Sequence, residues 1–299
     1  MSITKQTPLI SIVIPTYNRI EETHKALASI EKQTYKNYEI IIVDDHSEIP
    51  FKYKDTPFNG LNIIRHPKNL GAAAARNSGI MAAQGEYIAF LDSDDEWHKD
   101  KLKEQISYMR QHLDISATTT GYTYLTDEGQ STVIPSKQSD WKKRLCKGSG
   151  LAPGSTLMVK SEAIKGTLYD PKLIRLEDVD MLLRLVESYN FDVLQQVLAT
   201  INRGAPPSSK VVELANLLFI NKNRENFYSF GIFFGRYCVG KRYLETSIHF
   251  FGENQYKKGW KYLLKTLAMN PFQRAGMYLR IFDYISGLST HKLLKKVLR

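Results

Sequence analysis

Along the first two hundred residues, short uniformly apolar runs alternate with stretches whose apolar residues recur every three or four positions. Residues 9–14 are the first such run and stop at Pro15, which reads as a buried strand closed by a residue with no N–H to continue a ladder. Residues 20–33 follow with Ala26, Leu27 and Ile30 on one helical face. Residues 38–43, 61–64 and 86–91 read as further buried strands. The Ala-rich stretch 70–84 reads as a helix, as does 99–113, where Leu102, Ile106, Met109 and Leu113 form one stripe. Strands that are apolar on both faces and separated by helices predict an α/β domain. Its central sheet is expected to be mostly parallel, with helices on either side. Residues 114–160 are strand-like but irregular, 177–189 read as a helix and 191–201 as a strand. Gly204, Pro206 and Pro207 then break the pattern, which sets an expected boundary between a domain at 1–205 and a region at 206–299. Helical spacing resumes at 211–226, 259–269 and 272–288.

The polar residues that interrupt this pattern fall at informative places. Sheets of this kind bind ligands at the carboxyl ends of their strands. Asp44 and Asp45 close the second strand, and Asp92, Ser93, Asp94 and Asp95 close the fourth. Three carboxylates within four residues repel one another unless a cation compensates, and hard divalent ions take oxygen ligands. A solvated acidic loop capping the next helix is the alternative for 92–95, and an ordinary Asp turn is the alternative for 44–45. Pro15, Thr16, Tyr17, Asn18 and Arg19 follow the first strand with hydroxyls, an aromatic face and a guanidinium. Gly71 opens the third-strand helix, and Arg76 lies about two turns further in, within reach of a phosphate group at the helix start or simply exposed. Glu177 and Asp178 start an amphipathic helix, where acidic residues cap well and where a carboxylate can equally act as a general base.

Several chemistries are disfavoured. Two cysteines, Cys146 and Cys238, support neither a disulfide framework nor a Cys₄ zinc site, so a reducing, cytoplasmic setting is expected. The seven histidines show no HxxxH or HExxH spacing, Ser155 is not in a GxSxG elbow, and no GxxxxGK[ST] loop is present. The apolar run at 9–15 is not expected to be a signal peptide, and no stretch approaches the roughly 20 apolar residues of a spanning helix.

Charge divides the 299 residues unevenly. The net +10 lies wholly beyond residue 205, where 16 Lys+Arg face 5 Asp+Glu; the first 205 residues hold 25 against 26. The same last third carries 17 of the 33 aromatic residues. Lys257, Lys258, Lys261 and Lys265 share a helical face, six aromatics fall within 227–237, and the tail 291–299 is basic and amphipathic. Such a composition suits peripheral contact with an anionic membrane, self-association through the aromatic segment, or a packed helical bundle with solvated lysines.

The strings SIVIPTYN at 11–18, VDDHS at 43–47, NLG at 69–71, ARNSG at 75–79, GEYIAFLDSDD at 85–95 and LEDVDMLLR at 176–184 together resemble the family 2 glycosyltransferases of GT-A fold, over roughly residues 9–205. The resemblance implies inverting transfer of a sugar from a nucleotide diphosphosugar, most often a UDP-sugar. The acceptor would be a glycan or polyprenyl-linked hydroxyl in surface polysaccharide biosynthesis. By position it implies that Pro15, Tyr17 and Asp45 hold the uracil, with Asp44 nearby, and that Arg76 contacts the diphosphate. Asp92 and Ser93 would face the ribose and metal zone, and Asp94 would be the main ligand of Mn²⁺ or Mg²⁺, with Asp92 beside it. Asp178 would be the base, with Glu177 lining the acceptor side, and Gly154 and Ser155 match a Gly-Ser stretch on that side. Many relatives carry a His in the loop after the last sheet strand; here residues 200–209 have none, and Arg203 is the available cation. A nucleotidyltransferase would need a Gly-rich loop after the first strand, which 15–19 lacks. The basic last third prompts a nucleic-acid-binding alternative, but no RNP, KH or helix-turn-helix pattern accompanies it. An inactive member of the family is disfavoured because every expected carboxylate is present.

Overall fold

The computed structural model describes residues 7–53, 58, 60–126, 129–148, 150–202, 204–271, 278, 281 and 282. The chain divides into two compact units, 1–204 and 205–299. The tail at 291–299, Arg203 and most of the stretch 272–288 lie outside the described residues.

In the first unit, β1 (Ile10–Thr16) runs into α1 (Ile20–Glu31), then β2 (Tyr38–Asp44), β3 (Leu61–Arg65), α2 (Ala72–Ala82) and β4 (Tyr87–Phe90). The two-residue β5 (Glu96–Trp97) precedes α3 (Lys101–Gln111). A 12-residue strand, β6 (Ile115–Thr126), pairs with β7 (Gly129–Val133) and is followed by α4 (Trp141–Lys147), α5 (Pro153–Thr156), β8 (Met158–Lys160) and α6 (Ser161–Thr167). The unit ends with α7 (Glu177–Leu185) and β9 (Asn190–Asn202). The sheet order is β3-β2-β1-β4-β8-β6-β9-β5, with β7 on the flank of β6. Strands β1 to β4 are mutually parallel; β8 enters antiparallel on both sides, and β9 lies parallel to β6.

The strand expected as buried at 61–64 is instead an edge strand: β3 pairs with β2 on one side only, and its residues are half-buried or exposed. The central strands differ. All seven residues of β1 and all four of β4 are buried, so neither face of these strands reaches water. Register then decides what stands at the carboxyl edge. Thr16 lies opposite Asp44, and Asp44 opposite Arg65, so three polar side chains close three adjacent strands. The N–H of Leu91 bonds to Val13 O at 3.1 Å, which delivers Asp92 to the same edge.

Helix α2 lies hard against β1. A Cβ built at Gly79 would sit 2.4 Å from Cγ1 of Val13, so the helix approaches the sheet closely only because this position has no side chain. The irregular stretch 114–160 contains β6, whose register slips near Ile115 and again around Thr120 and Gly121. Its buried Thr118, Thr119 and Thr120 are served by partners: Gln105 Nε2 donates to Thr118 O and Oγ1, both at 3.0 Å, and the Thr119 and Thr156 hydroxyls lie 2.5 Å apart. Helix α7 is shorter than the expected 177–189, because the chain turns at Val186–Ser188 before entering β9.

The second unit contains α8 (Ser209–Tyr228), α9 (Ile232–Gly252) and α10 (Tyr256–Met269). Ser208 caps α8, accepting from the Val211 N–H. Leu244, Ile248, Phe251 and Leu263 form the heart of its core, together with Ile281. Helix α9 fills the stretch between the helices expected at 211–226 and 259–269, where no element was expected. Gly235 and Gly259 are contact points there: a Cβ at 235 would meet the Tyr228 ring at 2.5 Å, and one at 259 the Phe251 ring at 3.0 Å.

Gly79→Ala is expected to destabilise the protein by about 1–3 kcal/mol, because its methyl would collide with Val13 on a fully buried strand. Urea denaturation followed by circular dichroism measures the change; an unaltered midpoint would show that α2 can lift off β1 freely.

Candidate active site

The loops at the carboxyl ends of β1, β2 and β4 meet at one rim. Asn18, in a left-handed backbone conformation (φ 53°), donates its N–H to Ser47 Oγ (2.9 Å), and its Oδ1 accepts from Glu48 N–H (2.8 Å). These bonds hold the loops after β1 and β2 together and leave the Tyr17 ring exposed, with Pro15 buried beneath at the end of β1.

The two aspartates after β2 are both buried but occupied differently. The Asp44 carboxylate accepts from the N–H groups of Ser47 (2.8 Å) and Phe51 (3.1 Å) and from the Arg65 guanidinium. Burial alone would raise its pKa, but these hydrogen bonds hold it below the usual carboxylate range. Its oxygens are thus committed to shaping the loop 45–51. Asp45 Oδ1 meets His66 Nδ1 (2.7 Å) and the Leu70 N–H (2.9 Å), and its Oδ2 accepts from Gly71 N–H (2.7 Å). Asp45 therefore fixes the N-terminal start of α2, with Gly71 at φ 89° making the turn.

One turn along α2, Arg76 is buried and bridges two elements. Its Nη2 donates to Asp92 Oδ1 (2.6 Å) and its Nη1 to Glu177 Oε1 (2.8 Å). Burial would lower the Arg76 pKa, but these two carboxylates more than reverse that and raise it. The guanidinium carbon lies 5.4 Å from the centroid of the Tyr169 ring, and Tyr169 is pinned through its backbone N–H and C=O to the Asn77 side-chain amide, both at 2.8 Å. Arg76 Nε and Tyr169 Oη are buried without a hydrogen-bond partner.

The turn 92–95 is braced from below. Asp92 is half-buried; its N–H donates to Ser155 Oγ (3.0 Å), whose own proton goes to Asp95 Oδ2 (2.5 Å). Asp95 Oδ1 accepts from Asn202 N–H (2.8 Å), so the end of β9 is tied in as well. Burial, then the nearby Asp92, push the Asp95 carboxyl well above the ordinary range. Trp97 Nε1 donates to Ser155 O (2.7 Å) and closes the floor. Ser93 is buried, whereas Asp94 projects to the rim and pairs with Arg19 (2.7 Å), itself half-exposed. Burial raises the Asp94 pKa, Arg19 lowers it and Asp92 raises it, for a net upward shift. Gly154 leaves the space that the Asp92 carboxylate fills: a Cβ there would lie 2.1 Å from Asp92 Oδ2.

Glu177 and Asp178 open α7 directly after Leu176, whose left-handed backbone (φ 63°, ψ 14°) costs a non-glycine residue roughly 1–3 kcal/mol. Helix α7 is anchored by Arg184, which bonds to Asp180 and to the carbonyls of Thr167 and Leu168, just before Tyr169. Asp178 is half-buried, and its Oδ1 accepts from the Val179 N–H at 2.7 Å. Burial, followed by repulsion from Glu177, raises its pKa well above the usual range; Arg76 opposes the shift only in part.

Arg76 thus brings the turn 92–95 and the start of α7 onto the same side of the sheet, while Tyr17, Asp45 and Arg19 share the rim. Arg203 lies outside the described residues. Among the described residues no group of three or more His, Cys, Asp or Glu side chains is arranged as a metal site. Asn202, Tyr169 and His66 are supports that the sequence pattern did not single out; Asp95, the third carboxylate of its cluster, is a support as well.

A curled α/β sheet with carboxylates gathered at its strand ends, flanked by helices, is the architecture of the GT-A glycosyltransferases. S. aureus TarS residues 1–349 in complex with UDP-GlcNAc aligns with a TM-score of 0.58 at 16% identity, over 89% of this chain and 93% of that one. Residues 11–162 match the model of glycosyl transferase family 2, and the chain belongs to that family. An uncharacterized glycosyltransferase of Haemophilus influenzae is 33% identical over 253 residues, covering 82% of this chain and 94% of its own. The amylovoran biosynthesis glycosyltransferase AmsB of Erwinia amylovora is 32% identical over 205 residues, covering 63% and 68%.

Gly154→Ala is expected to leave the fold intact but to displace the Asp92 carboxylate, lowering turnover at least about tenfold, since misplacement by about 1 Å can cost a hundredfold. Sugar transfer or donor hydrolysis, compared with thermal unfolding of the same variant, tests this; full activity would mean that the Asp92 position is not critical.

Proposed function

We propose that the protein is an inverting, metal-dependent glycosyltransferase. It moves a sugar from a nucleotide diphosphosugar, a UDP-sugar, to a hydroxyl of a glycan or polyprenyl-linked acceptor in surface polysaccharide biosynthesis. The observation that carries this reading is the Arg76 bridge, which holds a carboxylate of the turn 92–95 and one of α7 on a single guanidinium. The UDP-GlcNAc bound by TarS and the polysaccharide named for AmsB support the donor and the pathway class.

In this reading the uracil lies on Tyr17 and Pro15 and bonds to Asp45, whose Oδ2 accepts one hydrogen bond, from Gly71. Asp44 shapes the loop beside it. Arg76 carries permanent positive charge toward the diphosphate, and Asp92 and Ser93 flank the ribose. Asp94 and Asp92, two carboxylates on one turn, suit Mn²⁺ or Mg²⁺, which commonly take one or two carboxylates together with substrate phosphate oxygens. The chemistry of this donor set fits, because Arg19 on Asp94 is a half-exposed cation that can swing aside. Such an ion would neutralise charge on the departing diphosphate.

Asp178 acts as the general base. An acceptor hydroxyl is a weak nucleophile, and a carboxylate with a raised pKa takes its proton more readily as the bond to the anomeric carbon forms. One displacement from the face opposite the leaving group inverts the anomeric centre. Glu177, held by Arg76, lines the acceptor side. The acceptor and its lipid are met at the cytoplasmic face of a membrane, with the basic second unit making peripheral contact or self-associating. No helix among the described residues is long and apolar enough to cross a membrane.

Asp178→Asn should lower turnover by about 10²–10⁴-fold while leaving UDP affinity nearly unchanged; retention of more than a tenth of the activity would refute the base. Because the Asp178 pKa is raised and the base acts only when deprotonated, the rate should fall on acidification at a pH well above the ordinary carboxylate value of about 3.9. Asp94→Ala should abolish the part of UDP binding that EDTA removes, as read by calorimetry; equal binding with and without EDTA in the parent protein would overturn the metal assignment.

A further inference from the structure

The second unit displays apolar side chains at the edge of its core that stay partly exposed; two of them, Tyr256 and Trp260, meet the core Phe251 ring on their inner side, at 6.1 and 5.6 Å between centroids. On α10 the buried positions are Gly259, Tyr262, Leu263 and Thr266. Beside that face, Tyr256, Trp260 (48% exposed), Leu264 (62%) and Leu267 form a second, outward stripe. Their spacing of four, four and three residues keeps them on one side of a helix with 3.6 residues per turn. Lys257, Lys258 and Lys261 follow around the helix on the far side of this stripe and are exposed. The Lys258 ammonium lies 5.0 Å from the Phe250 ring centroid, and that of the half-buried Lys265 lies 4.9 Å from the Tyr262 centroid, so the charged band is held close to the helix surface. Core, apolar stripe and cationic band thus take successive sectors of one helix.

We propose that this outer face of α10 is a docking surface for an anionic phospholipid bilayer, with Trp260, Leu264 and Leu267 entering the headgroup–acyl boundary and Lys257, Lys258 and Lys261 meeting lipid phosphates. This deepens the peripheral contact suggested above by assigning it to one helix face, and it does not depend on which sugar is transferred. Charge selects the occupant. The stretch 206–299 carries 16 Lys+Arg against 5 Asp+Glu, so a second copy of this unit would bring like charge to the same face, whereas an anionic bilayer supplies the opposite sign. A Trp-and-Leu stripe flanked by lysines is the arrangement by which a helix lies in a membrane interface without crossing it.

The test is flotation of the full-length protein with vesicles of pure phosphatidylcholine and of phosphatidylcholine with 30% phosphatidylglycerol (about the anionic content that gives a strong surface potential). Binding is expected on the anionic vesicles, weakened by high salt. It should drop at least about tenfold in the double variant Lys257→Glu/Lys261→Glu and in Leu264→Ser. Thermal unfolding and release of UDP from a nucleotide sugar in the absence of vesicles should match the parent, which separates failure of this surface from failure of the catalytic reading. Equal binding to neutral and anionic vesicles, or parent-like binding by both variants, overturns the proposal. So does an oligomer, seen by light scattering, that Leu264→Ser dissolves while vesicle binding persists.

Discussion

A buried guanidinium shared by two carboxylates from distant parts of the chain is the constraint around which the catalytic unit is arranged. Arg76 comes from α2, Asp92 from the end of β4 and Glu177 from the start of α7, and all three are drawn toward one point. Removing one member of a buried ion network costs about 3–5 kcal/mol, because the charges left behind have neither water nor partner. The surrounding structure is consistent with that cost. Asp45 fixes the start of the helix that carries Arg76, Asn77 pins the Tyr169 ring against it, and Arg184 anchors the helix that supplies Glu177. The unpartnered Arg76 Nε and Tyr169 Oη show that the cluster is not fully satisfied from within.

Much of the catalytic unit was legible because its signals are strong and local. The central parallel strands β1, β2 and β4 are largely apolar on both faces, and their ends are punctuated by Asp44–Asp45 and Asp92–Asp95, so sheet and rim could be placed from the pattern, whereas the short apolar run of β3 gave no sign that it lies at the edge. What could not be read were the consequences of register and burial. Nothing in adjacent aspartates distinguishes Asp44, whose oxygens serve the loop and Arg65, from Asp45, which faces the start of α2. Asp95 likewise looks like Asp94 in sequence, yet it turns inward to Ser155 and Asn202 while its neighbour turns out to Arg19.

Elsewhere the obstacle was a pattern that hides its own period. Helix α9 carries glycines at 235 and 240 and aromatics on several faces, because glycine admits the Tyr228 ring and the aromatics fill a small helical core. Strand β6 is long but broken by register slips, and its buried threonines bond to Gln105 and to Thr156 of α5. A polar run that is buried and internally bonded gives no alternation to detect. The uneven distribution of charge and aromatics, by contrast, survives any misreading of helices, since it is a property of composition alone.

The contact between Gly154 and Asp92 limits how such an enzyme can diversify. The space that a side chain would need at 154 is already filled by an oxygen atom of Asp92, so any larger residue there has to displace that carboxylate. Variation at this position is therefore tied to where Asp92 stands. One missing methyl group couples the two.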